Sequence, residues 1–251
     1  MSITVLDKNE LQAQRIVDFE DISRVVPGVS FNAVGANEGL TNVTIRGISS
    51  TSGAATVGIY LDDVSITTKN FYDFAAMPRF VDLQSIEVLR GPQGSLWGAS
   101  SEGGTIRFIP VAPNMFERSG EVSLDTSFTR HGSINYGGTA IFNAPLSPGV
   151  FALRGSVSAN SDSGYINNFD QLGNLANKRV NHESATTVHL LGKLTPGGDL
   201  TITPGFFYQD VKTADNAAFY PALGLFNESK QVREFGEDKM TLASLDRKSV
   251  V

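Results

Sequence analysis

The fold class predicted from the sequence is an antiparallel membrane β-barrel segment preceded by an N-terminal α+β domain. Three observations predict its antiparallel sheet and α+β domain, and motifs in the first half, given below, decide between a membrane barrel and a soluble sandwich. From about residue 119 onward, apolar and polar side chains alternate with period two. The connections between these runs alternate between tight Pro/Gly turns and one long polar stretch. Residues 1–115 instead mix short helical patterns with short apolar runs and Gly/Ser clusters. Alternation of this kind puts one face of a sheet in an apolar medium and the other in water.

Composition sets the outer limits. The chain has 251 residues, 20 Lys+Arg against 26 Asp+Glu, a formal net charge of −6 and no Cys. Without cysteine there is no disulfide framework, Cys-ligated zinc or thiol nucleophile. An acidic chain without a basic run is a poor partner for nucleic acid. A hydrophobic fraction of 41% is too high for a disordered chain. No run reaches the roughly 18 apolar residues of a membrane helix. The start lacks the basic and apolar regions of a secretory leader.

In the N-terminal region, Asp7 followed by Glu10 marks a helix start, because the Asp carboxylate can accept from free first-turn amides. That helix is expected over residues 8–14. A second is expected from Asp18, with Phe19, Ile22, Val25 and Val26 on its apolar face, ending at Pro27-Gly28. Residues 43–48, 57–61, 86–89 and 105–109 read as strands.

Beyond residue 118, Val122, Leu124, Thr126 and Phe128 share one face, and Glu121, Ser123, Asp125 and Ser127 the other. Residues 134–142, 151–159, 186–194 and 200–208 follow the same rule. Each run is about nine to eleven residues, the length a tilted strand needs to cross a bilayer. Residues 143–149 and 195–199 read as tight turns, and 161–185 as a long polar loop. Short turns at one end and long loops at the other are a habit of outer-membrane barrels. Periodicity alone also fits a soluble antiparallel sandwich, in which alternation means core against solvent.

Motifs in the first half separate these readings. In order, the chain carries Ile22-Ser-Arg-Val-Val-Pro-Gly-Val29, Val43-Thr-Ile-Arg-Gly-Ile48, Val57-Gly-Ile-Tyr-Leu-Asp-Asp-Val64, Leu83-Gln-Ser-Ile-Glu-Val-Leu-Arg-Gly-Pro-Gln-Gly94, Leu96-Trp-Gly98 and Gly103-Gly-Thr-Ile106. Together they resemble the plug domain of TonB-dependent outer-membrane receptors, over most of residues 1–115. The resemblance implies a plug domain at 1–115 and, at 119–245, the N-terminal part of the barrel, about five of 22 strands. The chain is thus expected to be a truncated, non-functional fragment lacking the signal peptide, the TonB box and the C-terminal barrel. Residues 246–251 continue no strand pattern in this reading. They resemble a translated sequencing adapter and are expected to be a non-native tail.

The function implied is energy-coupled uptake, across the bacterial outer membrane, of a scarce nutrient such as a siderophore–iron chelate, cobalamin or saccharide. The partners implied are outer-membrane lipid, TonB through the missing box, and the small-molecule ligand. No cofactor is implied. Three plug loops of such receptors touch the ligand, which points to Asn37 and Glu38, Ser52 and Gly53, and Phe71 and Tyr72. Exposed aromatics in a polar loop suit a ligand platform, though they also suit packing under a barrel loop. Arg46 and Arg90 read as arginines in plug strands, which need partners because an unpaired buried charge is costly. The resemblance supplies those partners as glutamates of the inner barrel wall; ordinary surface arginine is the plainer reading.

Other chemistry is not indicated. His131, His182 and His189 have no metal-ligand spacing. Ser95 is not in a G-x-S-x-G elbow. Asp62-Asp63 is better read as a turn than as a catalytic or cation-binding pair. A passive porin-like channel and a secreted β-sandwich enzyme are the rival functions. The first has no use for a globular N-terminal half, and the second needs a catalytic constellation.

Overall fold

A computed structural model describes residues 2–16, 18–33, 41–49, 55–67, 77–197 and 199–249. The chain divides into two units, Met1–Val111 and Ala112–Val251.

In the first unit, β1 (Ser2–Asp7) leads directly into α1 (Lys8–Ala13). The Asp7 carboxylate accepts from the Glu10 amide at 2.8 Å, as the Asp-x-x-Glu spacing predicts. α2 (Phe19–Val25) starts with a full capping box, in which Asp18 and Asp21 each accept from the other's backbone amide. It buries Phe19 and Ile22 and leaves the chain at Val26. Next come β2 (Val29–Ala33), β3 (Thr41–Ile45), β4 (Val57–Leu61), β5 (Val64–Ser65), β6 (Leu83–Arg90), α3 (Gly94–Trp97) and β7 (Gly104–Pro110). The main sheet has the order β1-β6-β7-β4-β5, with β4 and β7 parallel, and β2 pairs with β3 separately. Ile59, Ile86, Val88, Ile106 and Phe108 form its dry centre, and Phe19 packs on Phe108 with ring centroids 5.1 Å apart. Fully burying side chains of this size is worth about 1.5–3 kcal/mol each.

Two glycines are required by the backbone. A Cβ on Gly104 would lie 2.3 Å from the Leu89 carbonyl oxygen, at φ +153°. Gly91, at φ +100°, turns the chain between the end of β6 and Pro92. Asp62-Asp63 forms the two-residue β4–β5 turn, with Asp62 at φ 57°. The expected strand at 43–48 is corrected. It stops at Ile45, because Arg46 and Gly47 both take left-handed φ (53° and 77°) and fold Ile48 back to bridge Ile45.

The second unit is an open antiparallel sheet of β8 (Ser119–Phe128), β9 (Ile134–Ser147), β10 (Phe151–Asp162), β13 (Glu183–Leu194), β14 (Leu200–Thr213) and β16 (Gly236–Ser249). Their order is β16-β14-β13-β10-β9-β8, each beside its sequence neighbour in the sheet. The long connections carry β11 (Asn167–Phe169), β12 (Leu175–Asn177) and β15 (Asn227–Glu228), which form a small sheet of their own. Two expectations change. Residues 143–147 are strand, so the turn is shorter than expected. Among the described residues six long strands are present rather than about five, and the last runs through Asp246 to Ser249, paired with Leu200–Thr203. The strand pattern therefore does not stop at Leu245. The missed strand mixes charged and apolar side chains on both faces, so its alternation is hidden.

Register makes the two faces of this sheet distinct. Val122, Ala140, Val157, Val188 and Tyr208 form one cross-strand row, and Phe142, Gly155, Leu190 and Phe206 the next on the same face. Ser123, Thr139, Ser158, Thr187 and Gln209 form a row on the opposite face. The apolar face is open: Val122 is 76% exposed and Leu124 84%. Toward the long-loop end it gives way to charge, where Glu237 pairs with Lys239 at 2.7 Å and with Lys212 at 3.5 Å.

Candidate functional site

In the first unit, the structure brings Arg46 and Arg90 to one turn. The Arg46 amide donates to the Gly28 carbonyl at 2.7 Å, and Arg90 Nη1 donates to the Pro27 carbonyl at 2.8 Å. Arg90 Nη2 also donates to Thr4 Oγ1 at 3.0 Å, while its Nε is buried without a hydrogen-bond partner. Arg46 Nη1 lies close to Gly91, 3.5 Å from where a Cβ would stand. Arg46 belongs to a turn and is exposed; Arg90 closes β6 and is half-buried. Among the described residues, no ion pair joins either arginine to a carboxylate. Two positive charges thus flank the Pro27-Gly28 turn, and among the described residues the acceptors bonded to the Arg90 guanidinium are neutral.

A third arginine, not singled out by the sequence, is paired within the unit. Arg107 donates to Glu87 and to Asp63, each at 2.7 Å, and lies 4.6 Å from the Trp97 ring centre. Register places Tyr60, Arg107 and Glu87 side by side across β4, β7 and β6. This contact set is internal to the sheet, so Arg107 reads as a structural clamp.

The six expected ligand-contacting residues, Asn37, Glu38, Ser52, Gly53, Phe71 and Tyr72, lie outside the described residues. His131 and His182 lie in connections, as expected. His189 is buried in β13 with its ring edge-on to Phe207, at a centroid distance of 5.6 Å. Among the described residues, no group of three His, Asp or Glu side chains is placed to hold a metal ion.

The long-loop end of the sheet contains a constellation that sequence reading missed. Lys230 Nζ contacts Asn216 Oδ1 at 2.7 Å, Glu234 Oε2 at 2.9 Å, Asp215 Oδ1 at 3.0 Å and Glu228 Oε2 at 3.2 Å. Asp215 and Glu228 are fully buried. Burial pushes the Glu228 carboxyl up, against the pull of Lys230. Burial also opposes the Lys230 charge, but hydrogen bonds to Glu234, Asp215 and Glu228 outweigh it and raise the ammonium above its ordinary value. Asn168 ties this loop to the 163–182 connection, donating to the Lys230 carbonyl and accepting from its amide. Phe226 adds a ring cluster, within 6.0 Å of His131, Tyr165 and Phe219 centroid to centroid.

Beside Lys230 is a pocket of about 380 Å³, lined by Asn216, Phe219, Tyr220, Gln231, Val232 and Glu234 among others. No local pattern announces it. Its charged groups come from positions 215–234, with no periodicity, and its anchor Asn168 is 62 residues from Lys230.

Residues 1–105 match the TonB-dependent Receptor Plug Domain family model. Over 120 residues, or 47% of this chain and 17% of the relative, the chain is 32% identical to a pesticin receptor of Yersinia pestis. Over 115 residues, 45% of this chain and 18% of the relative, it is 30% identical to a vitamin B12 transporter of Vibrio vulnificus. The chain thus spans less than a fifth of the length of these curated relatives. The crystal structure of the ferric yersiniabactin uptake receptor from Yersinia pestis matches all of this chain with 38% of its own length, at a TM-score of 0.82 and 19% identity. That likeness shows the fold of both units.

Proposed function

We propose that this chain, whose residues 1–105 are a TonB-dependent receptor plug domain and whose long strands have the fold of such a receptor's barrel, belongs to an energy-coupled outer-membrane uptake receptor. The observation that carries this reading is the sequence of two unlike units: a plug with its own dry core, then an open sheet with one apolar and one polar face. In lipid, the rows through Val122 and Phe142 would face acyl chains, and the band of Lys212, Glu237 and Lys239 would mark the water boundary at the long-loop end. The nutrient would be a siderophore–iron chelate, cobalamin or saccharide, bound from that end.

Within this reading, Asn37, Glu38, Ser52, Gly53, Phe71 and Tyr72 stand at plug loops that would touch the cargo. Arg46 and Arg90 would meet glutamates of the inner barrel wall and hold the plug. Their lack of carboxylate partners among the described residues supports this role, since a guanidinium near a protein wall gains most from a bidentate carboxylate. The chain would perform no covalent chemistry.

The test is uptake of radiolabelled cargo by cells carrying the full-length receptor gene in which this coding sequence lies, with and without a functional TonB system. Uptake that collapses without TonB supports the reading. Equal uptake in both strains contradicts it and favours a passive channel.

A further inference from the structure

The pocket beside Lys230 rests on the uptake reading but goes beyond it, because its chemistry selects among cargoes. It has the volume of small-molecule sites, about 300–1,000 Å³. Phe219 and Tyr220 supply ring faces and Val232 an apolar side, with amides from Asn216 and Gln231. The polar character is one-sided. Lys230 is part of the lining, but its side chain is only 11% exposed and its ammonium is surrounded by four oxygens at 2.7–3.2 Å. It stands against three carboxylates, so the cluster remains negative even if one of them carries a proton. Glu234 holds Lys230 and the Asn216 amide through one oxygen only, and its side chain is 60% exposed at the rim. Arg233, the adjacent cation in sequence, is not part of the lining.

We infer that the pocket between residues 216–220 and 229–234 is a cargo-binding subsite for a neutral or cationic ligand with a ring or apolar face. Anionic chelates are rejected there. A cation gains a charge-assisted hydrogen bond to Glu234, whereas an anion must lose water beside a cluster in which three carboxylates share one ammonium. Specificity then comes from repulsion as much as from contact.

The experiment is equilibrium dialysis of the 251-residue chain in detergent micelles, its sheet content checked by circular dichroism. Three iron-labelled probes are used: a ferric trihydroxamate with a pendant protonated amine, its N-acetylated neutral counterpart, and ferric citrate. The first two are expected to be retained, and ferric citrate about tenfold more weakly or worse, a gap of about 1.4 kcal/mol. Glu234→Gln should weaken the cationic probe about tenfold, the worth of one charge-assisted hydrogen bond. The same change should leave the neutral probe within about twofold, and Tyr220→Ala should weaken both. Ferric citrate held as tightly as the cationic probe would overturn the subsite while leaving the uptake reading intact. So would an equal effect of Glu234→Gln on both hydroxamates. Retention of none of the three by the folded chain would overturn the subsite and leave the uptake reading to the TonB comparison above.

Discussion

Lys230 shows how much one side chain can organise. Replacing it with Met removes the one cation that, among the described residues, contacts Asp215 and Glu228, both fully buried. Breaking a buried pair from one side leaves an uncompensated charge and costs about 3–5 kcal/mol. The expected outcome for Lys230→Met is rapid amide exchange through residues 214–235, with the 183–194 and 200–213 strands still protected. Protection unchanged in the loop would mean that the ring cluster around Phe226 suffices without the ion pairs. In the other unit, Gly104→Ala should be more damaging than a typical Gly→Ala change. Its methyl would stand 2.3 Å from the Leu89 carbonyl oxygen. Either β6 and β7 part at that point, or the residue abandons its φ of +153°. A fall of at least about 1–3 kcal/mol in the stability of the first unit is predicted, read from its denaturant midpoint.

The loop of residues 214–235 also has a definite pH response as an element. Because the native ammonium of Lys230 is raised above its ordinary 10.5, its stabilising contribution is complete below that value. The contribution fades as pH climbs through the higher native value. Protease resistance of the loop should therefore hold constant between about pH 7 and 10 and decline only above the ordinary lysine range. A decline near neutrality would point to a different titrating group. The contrast between elements explains what sequence could and could not reveal. α1 and α2 were legible because their caps are local: Asp7 and Glu10, then Asp18, act within one turn. The strands of the second unit were legible where alternation is clean, as in 119–128. β16 was not, because Glu237 and Lys239 share a face with Ala243 and Leu245. β3 ended early for a reason that lies in backbone angles at Arg46 and Gly47 rather than in side-chain pattern. The Lys230 constellation was invisible because its parts meet only after the long connections fold together.

For the molecule as a whole, the two units solve different problems. The first buries a continuous apolar centre from Leu6 to Phe108 and needs no lipid. The second presents β8 and β16 as sheet edges, and an apolar face that includes Val122, Leu124 and Phe128. Unpaired edges recruit other strands, and an exposed apolar face of this extent recruits anything that covers it. Expressed without detergent, the chain should elute as aggregates; a monodisperse, cooperatively unfolding monomer would contradict the barrel assignment. The most direct test of the central claim, that the alternating strands stand in a membrane, is a spin-label scan of residues 200–213 in lipid. Collisional accessibility to oxygen, which partitions into acyl chains, should peak at positions 206 and 208 and be minimal at 207 and 209. Accessibility to a water-soluble nickel reagent should not rise at 206 and 208. Peaks in nickel accessibility at those two positions, in phase with oxygen, would place that face in water and contradict the account.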